Sequence, residues 1–284
     1  MNWIELSNPV ALWWLFLAST SALNISLWLY TWRKYQKPGF PGERGIMGTN
    51  ALIWYSAVYV FGCAYRSILP KADVQRICLF DTWFSSVFLG RSVATFAELA
   101  FVIQWAIAIR IFNRDLRDPI AEKISTIIIP LIALAECFSW YAVITTNYIG
   151  NTFEESLWGI SFFLVWIALI RLFLRSSGIA RKVIGISLPF VAAYVIYMAT
   201  VDVPMYFTRW QADLAAGKQF LGLWQGLVDL NTRWVVTHNP ADWQGEMLWM
   251  AMYFSLAVWG SIALCYLPFL SKTNANPHPQ NKSL

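Results

Sequence analysis

A chain of 284 residues can make one large soluble domain or a bundle of six to eight membrane helices, and composition separates the two. Hydrophobic residues make up 58% and charged residues 13%, about half the charged share usual in soluble domains, which excludes an ordinary water-covered surface. The net charge of +5 falls largely in loops assignable to one side of a membrane, so it implies no nucleic-acid partner.

The first apolar run, residues 11–32, is too long for a signal-peptide core and has no basic segment before it. Arg33, Lys34 and Lys37 follow it instead, which predicts a retained membrane helix. Six further segments reach the roughly 20 residues needed to cross about 30 Å of hydrocarbon. With the first taken as 10–32, they are 50–69, 85–109, 124–148, 157–174, 183–201 and 247–270. The prediction is an all-α polytopic bundle of about seven transmembrane helices, with a helical outer segment between helices six and seven. Residues 1–272 form one membrane domain, 203–246 an outer cap, and 273–284 a disordered cytoplasmic tail.

Loop charge sets the expected orientation. Fourteen Lys and Arg fall in the loops after helices one, three and five and in the tail, against five in the loops on the other side. Cytoplasmic loops retain such an excess, so the N-terminus is expected outside and the C-terminus in the cytoplasm, as in a bacterial inner membrane. Pro38-Gly39-Phe40-Pro41-Gly42 and Arg117-Asp118-Pro119 punctuate cytoplasmic loops. Pro130 and Pro189 lie inside spans, where neighbouring helices tolerate a kink. The 17 Trp, 12 Tyr and 19 Phe suit membrane interfaces. In the long outer connection, apolar residues from Gln211 to Val236 recur at helical spacing and predict one or two amphipathic helices over the bundle.

Ionised groups within hydrocarbon cost several kcal/mol or more, so the spans carrying them hold the candidate chemistry. Arg91, Thr95 and Glu98 share one face of helix three at helical spacing. Helix four carries Glu136, Ser139 and Trp140. Counting inward from the helix ends puts Glu98 and Glu136 near mid-membrane, where facing carboxylates can share a proton. Glu98, Glu136 and Arg91 are the candidate catalytic residues. Thr95, Ser139 and Trp140, with Tyr194, Tyr197, Asp202, Arg66 and Glu246 nearer the outer side, are candidate ligand contacts around an outward-opening cavity, with Trp158 and Trp249 as further wall residues. The alternative is an ion cluster that fixes helix register and binds nothing.

Only His238 and His278 are present, too few for a multi-histidine iron site or a bis-histidine haem. No zinc, serine-nucleophile or phosphate-loop motif occurs, and no metal or cofactor is expected. An arginine and a carboxylate on the third of seven spans is superficially similar to microbial rhodopsins. Their retinal needs a lysine within the last helix, and 247–270 has none, which excludes a retinal protein. The leading expectation is an intramembrane enzyme using carboxylates as acid and base on a lipid-like, isoprenoid or quinone substrate. A proton-coupled transporter or ligand sensor, and an accessory subunit, are the alternatives. Expected partners are membrane lipids and an apolar or amphiphilic small molecule, and the sequence leaves oligomeric state open.

Overall fold

A computed structural model describes residues 7–37 and 49–268. The Pro38–Gly42 loop, Arg44, Lys272, Lys282 and the 273–284 tail lie outside the described residues.

The chain is an all-α bundle: α1 (Pro9–Tyr35), α2 (Thr49–Ile68), α3 (Val87–Asn113), α4 (Pro119–Thr145), α5 (Tyr148–Arg175), α6 (Gly178–Tyr197), α7 (Val203–Ala215), α8 (Leu223–Thr232), α9 (Pro240–Met252) and α10 (Val258–Leu264). A π-helical turn, Met198–Asp202, joins α6 to α7, and another, Tyr253–Ala257, joins α9 to α10. Each pair is therefore one continuous rod. Among the described residues six helical rods are long and apolar enough to cross a membrane: α1, α3, α4, α5, the 38-residue Gly178–Ala215 rod and the 25-residue Pro240–Leu264 rod.

Local sequence explains where the helices start. Asn8 and Pro9, Asp118 and Pro119, and Asn239 and Pro240 each supply a side-chain cap followed by a proline at the first helical position. That proline gives up only an N–H with no helical partner and presets φ. The Arg117-Asp118-Pro119 punctuation is thus the start of α4. Pro130 and Pro189 lie inside α4 and α6 as expected.

Side-chain to backbone bonds fix the packing order. Trp14 donates to the Ile68 carbonyl at 3.0 Å and Trp28 to that of Ile53 at 3.1 Å, so α2 runs antiparallel along most of α1. Trp13 donates to Met247 and Asn24 to Phe254, and Thr31 meets the Tyr266 hydroxyl, so the α9–α10 rod runs parallel to α1. Between α4 and α5 the turn is only Thr146 and Asn147. Thr146 takes the left-handed conformation, φ 57°, and Asn147 caps α5. Gly150 then packs so closely on α4 that a Cβ there would lie 2.6 Å from the Phe138 carbonyl oxygen.

The two ends of the bundle differ. At the cap end, β1 (Lys71–Ala72) and β2 (Ile77–Cys78) pair antiparallel, and β3 (Val235–Val236) joins β2 in parallel. Arg76, buried and with φ 60°, pairs with Asp229 of α8 at 2.8 Å and donates to the Val143 carbonyl of α4 at 2.6 Å. This single guanidinium ties the hairpin, α8 and α4 together. At the opposite, basic end, Asp118 caps α4 and accepts from Arg171 and Arg175 of α5. Large apolar side chains exposed along the rods, among them Phe16, Phe96, Phe163 and Phe190, give the lipid-facing surface that composition demands.

Boundaries depart from expectation in two places. Residues 202–215 continue the sixth rod instead of leaving it at Val201, because the π turn and Pro204 are absorbed without a break. Helix α5 starts at Tyr148, nine residues before the expected 157, which draws Glu154 and Glu155 into the bundle. The amphipathic stretch expected at 211–236 resolves into the end of α7 and the separate helix α8.

Candidate functional site

Arg91 sits at the centre of a cage of three carboxylates. Its Nη2 donates to Glu98 Oε2 at 2.6 Å and to Glu136 Oε2 at 2.9 Å, and its Nη1 to Glu154 Oε1 at 3.4 Å. All four residues are buried, none more than 6% exposed. Helix geometry assembles the cage. Arg91 and Glu98 lie two turns apart on one face of α3, and the tight α4–α5 turn sets Glu136 and Glu154 side by side. Counting about 1.5 Å per residue from the cap-side helix ends places the carboxylates roughly 9–17 Å deep. The cage therefore lies in the cap-side half of the bundle.

Neutral donors complete part of the shell. Thr95 donates its hydroxyl to Glu136 Oε2 at 2.6 Å and accepts the Trp140 indole N–H at 3.1 Å. Tyr253, at the start of the second π turn, donates to Glu98 Oε1 at 3.2 Å, and Asn151 donates to Glu154 Oε2 at 3.0 Å. Four buried atoms of this cluster have no partner among the described residues: Arg91 Nε, Glu136 Oε1, Ser139 Oγ and Asn151 Oδ1. The cage is thus tightly held yet keeps both donor and acceptor capacity. Buried polar atoms are rarely left so.

Aromatic rings floor the cage on the side of the basic end. Tyr59 stacks on Phe101 at 4.4 Å, Phe101 on Phe162 at 6.2 Å, and Trp158 on Phe162 at 5.8 Å, while Trp249 stacks on Tyr253 at 4.9 Å. An apolar groove of about 300 Å³ lies elsewhere, between α1 and α10, lined by Leu27, Tyr30, Trp259 and Tyr266 among others.

Of the residues singled out in sequence, the structure brings Arg91, Thr95, Glu98, Glu136, Ser139 and Trp140 together. Tyr194 packs edge-on against Phe162 at 4.9 Å, in the floor. Asp202 is buried on the first π turn with neither carboxylate oxygen bonded among the described residues. Tyr197 is half-buried one turn before it. Arg66 pairs with Asp73 of the hairpin at 3.6 Å, and Glu246 with Arg209 at 3.5 Å and Gln75 at 3.2 Å. These two stand at the cap end, apart from the cage. His238, in the connection between β3 and α9, bonds the Leu79 carbonyl at 2.9 Å.

Glu154, Asn151 and Tyr253 were missed. Glu154 falls between the expected spans 124–148 and 157–174, and the signal that places it is Asn147, a helix cap in front of an apolar-periodic stretch. Glu98, Glu136 and Glu154 each offer an oxygen within 4.8 Å of the others, a spacing that suits a hard cation. The Arg91 guanidinium, hydrogen-bonded to all three, already places a positive charge among them, which disfavours a metal ion in the same space. The chain matches no protein-family model, no curated protein and no solved structure.

Proposed function

We propose that this multi-pass membrane protein is an acid–base catalyst acting within the bilayer on a lipid-like, isoprenoid or quinone substrate. The observation that carries this reading is the charge imbalance of the cage. Three carboxylates against one guanidinium, if all were ionised, would leave two uncompensated negative charges in a low-dielectric interior, a cost of many kcal/mol. Holding protons removes that cost. A proton so held can be given to a substrate and taken back.

The groups divide the work. Glu136 Oε1, unbonded while Oε2 is pinned by Arg91 and Thr95, is placed to accept a proton. Glu98, held by Arg91 and Tyr253, serves as the acid. Arg91 keeps its Nε–H free to steady negative charge developing on a substrate oxygen. The aromatic floor suits a prenyl, sterol or ring-bearing body, and the cap side, to which the cage lies nearer, is the proposed side of entry. The test is mass spectrometry of small molecules that co-purify with wild type and with Glu98→Gln and Glu136→Gln variants of equal thermal stability. A lipid or isoprenoid held by wild type and lost or chemically changed in both variants is the expected result. Identical small-molecule profiles in all three forms would sink the reading.

Seven crossings with N-out, C-in orientation in a bacterial inner membrane belong to the same proposal. The antiparallel course of α2 beside α1 supports α2 as the seventh crossing, and the fourteen-to-five loop charge split supports the orientation. Labelling single cysteines placed at Lys37 and Lys218 from one side of sealed vesicles tests it. The two positions should react from opposite sides.

Proton-coupled transport is the second reading, favoured by a polar set further toward the basic end. There Ser261 donates to Gln104 at 2.6 Å and contacts Ser56 at 3.1 Å, all fully buried. Proton flux into vesicles after a pH jump, absent in Glu98→Gln, would favour transport over chemistry.

A further inference from the structure

Helices α5 and α6–α7 run antiparallel, and their contacts form a ladder. Phe162 faces Tyr194 with ring centres 4.9 Å apart. Gly159 faces Met198, whose Cβ would lie 3.4 Å from a Cβ built on the glycine. Tyr148 faces Tyr206 at 6.0 Å. One turn from Gly159 and one turn from Met198, toward the cap end, helical spacing sets Glu155 opposite Asp202.

Asp202 is 1% exposed and both its oxygens lack a partner among the described residues. A carboxylate buried in that way is costly unless it takes a proton or a cation. It sits on a π-helical turn, an irregularity that recurs at functional sites because it re-aims the side chains around it. The adjacent residues Glu154 and Glu155 point about 100° apart around α5. Glu154 enters the Arg91 cage, and Glu155 turns to Asp202. On the cap side of this pair stand Arg209 of α7 and Glu246 of α9, joined at 3.5 Å, with Tyr206 of α7. Tyr194 and Tyr197 of α6 flank it from below.

We infer that Glu155 and Asp202 form a proton relay connecting the Arg91 cage, through the Glu154–Glu155 pair, with the cap-side surface at Glu246 and Arg209. Each transfer moves one proton from a carboxyl O–H to a neighbouring carboxylate, so one group is discharged as the next is charged and no other reactant is consumed. The relay rests on the acid–base reading of the cage. It supplies that cage with protons from the cap side.

The test is time-resolved infrared spectroscopy of the carboxylic-acid C=O stretch after mixing the full-length protein, reconstituted in vesicles, with D2O buffer. The cage band is identified in wild type by its loss or shift in Glu98→Gln, Glu136→Gln and Glu154→Gln. In Asp202→Asn and Glu155→Gln the hydrogen–deuterium exchange of that band should slow by about tenfold or more. Asp202→Glu, which keeps the acid, should restore exchange toward the wild-type rate even if the asparagine variant proves unstable. Exchange at the wild-type rate in both neutral variants would overturn the relay and leave the cage reading standing. A wild-type protein with no cage band would overturn the cage reading and the relay with it. Loss of the Asp202 acid band on adding sodium chloride, but not choline chloride, would make the pair a metal-cation site and also overturn the relay.

Discussion

The two ends of the bundle each hold an arginine–carboxylate cluster, built with opposite stoichiometry. At the basic end one carboxylate, Asp118, meets two arginines, Arg171 at 2.8 Å and Arg175 at 3.0 Å. On the cap side one arginine meets three carboxylates. Asp118 is fully used: it also caps α4 through the Ile120 and Ala121 amides, and its arginines reach into solvent. It is a lock. The Arg91 cage has more negative charge than its counterion balances and keeps unbonded atoms in a dry interior. The same residue types thus make a fastener where charge is matched at the water's edge. Where charge is unmatched and buried they leave a net negative cluster that is costly unless it takes up protons.

The largest expected effect breaks the comparison from the cage side. Arg91→Met removes the common partner of three buried carboxylates, a loss of the kind that costs about 3–5 kcal/mol when one member of a buried pair is deleted. Thermal unfolding in detergent should show the drop. Combining it with Glu98→Gln and Glu136→Gln should recover much of it, because only Glu154 is then left without its partner. If Arg91→Met alone unfolds at the wild-type temperature, the cage carboxyls are neutral without their arginine and the charge argument fails.

The lock should give a smaller effect with an opposite signature. Asp118→Ala loses a helix cap, worth about 1–2 kcal/mol, together with two ion pairs discounted for their solvent-exposed arginines. Hydrogen bonding from Arg171 holds the Asp118 carboxyl down at about 2, below its ordinary 3.8. A value lowered in the folded state means stabilisation that is complete above about pH 4 and disappears as pH falls through 2. Unfolding temperatures of wild type and Asp118→Asn should therefore converge across that window and stay separated at neutral pH. A constant gap from pH 2 to pH 7 would show that the charge of Asp118 contributes nothing.

The contrast between the clusters also shows what sequence made legible. Period and apolar length were enough for the helical class, for six rods and for the position of α2, since hydrocarbon leaves few ways to satisfy a backbone. Arg91, Thr95 and Glu98 could be joined because they share a helix face, and Glu136 followed from its depth. Glu154 could not be found from apolar length alone. A helix whose first turns are polar, YIGNTFEES, reads as a loop until its asparagine cap is recognised. Tyr253 depends on a π turn, which shifts helical phase by a residue and has no periodic signal, whereas Asp202 stands out in sequence as a charge at the end of an apolar run. The Asp118 lock was hidden for a different reason: its arginines lie more than fifty residues away, and nothing local announces the contact.

The smallest expected effect asks whether the cage shell acts as a unit. Thr95 is the link in a chain running from the Trp140 N–H to the Thr95 hydroxyl to Glu136. Thr95→Val keeps the shape and removes both bonds, and Trp140→Phe removes only the first. Interhelical bonds of this kind contribute about 1 kcal/mol each. Thr95→Val should cost about 2 kcal/mol in unfolding free energy, and the double variant little more, because Trp140 has nothing left to donate to. Additive losses would mean that Trp140 acts through contacts other than its bond to Thr95 and that Thr95 does not transmit the position of Trp140 to Glu136. Sub-additive losses, with Glu136 reporting the change through its carboxyl stretch, would make Thr95 the residue that keeps one oxygen of Glu136 occupied while the other stays free to take a proton.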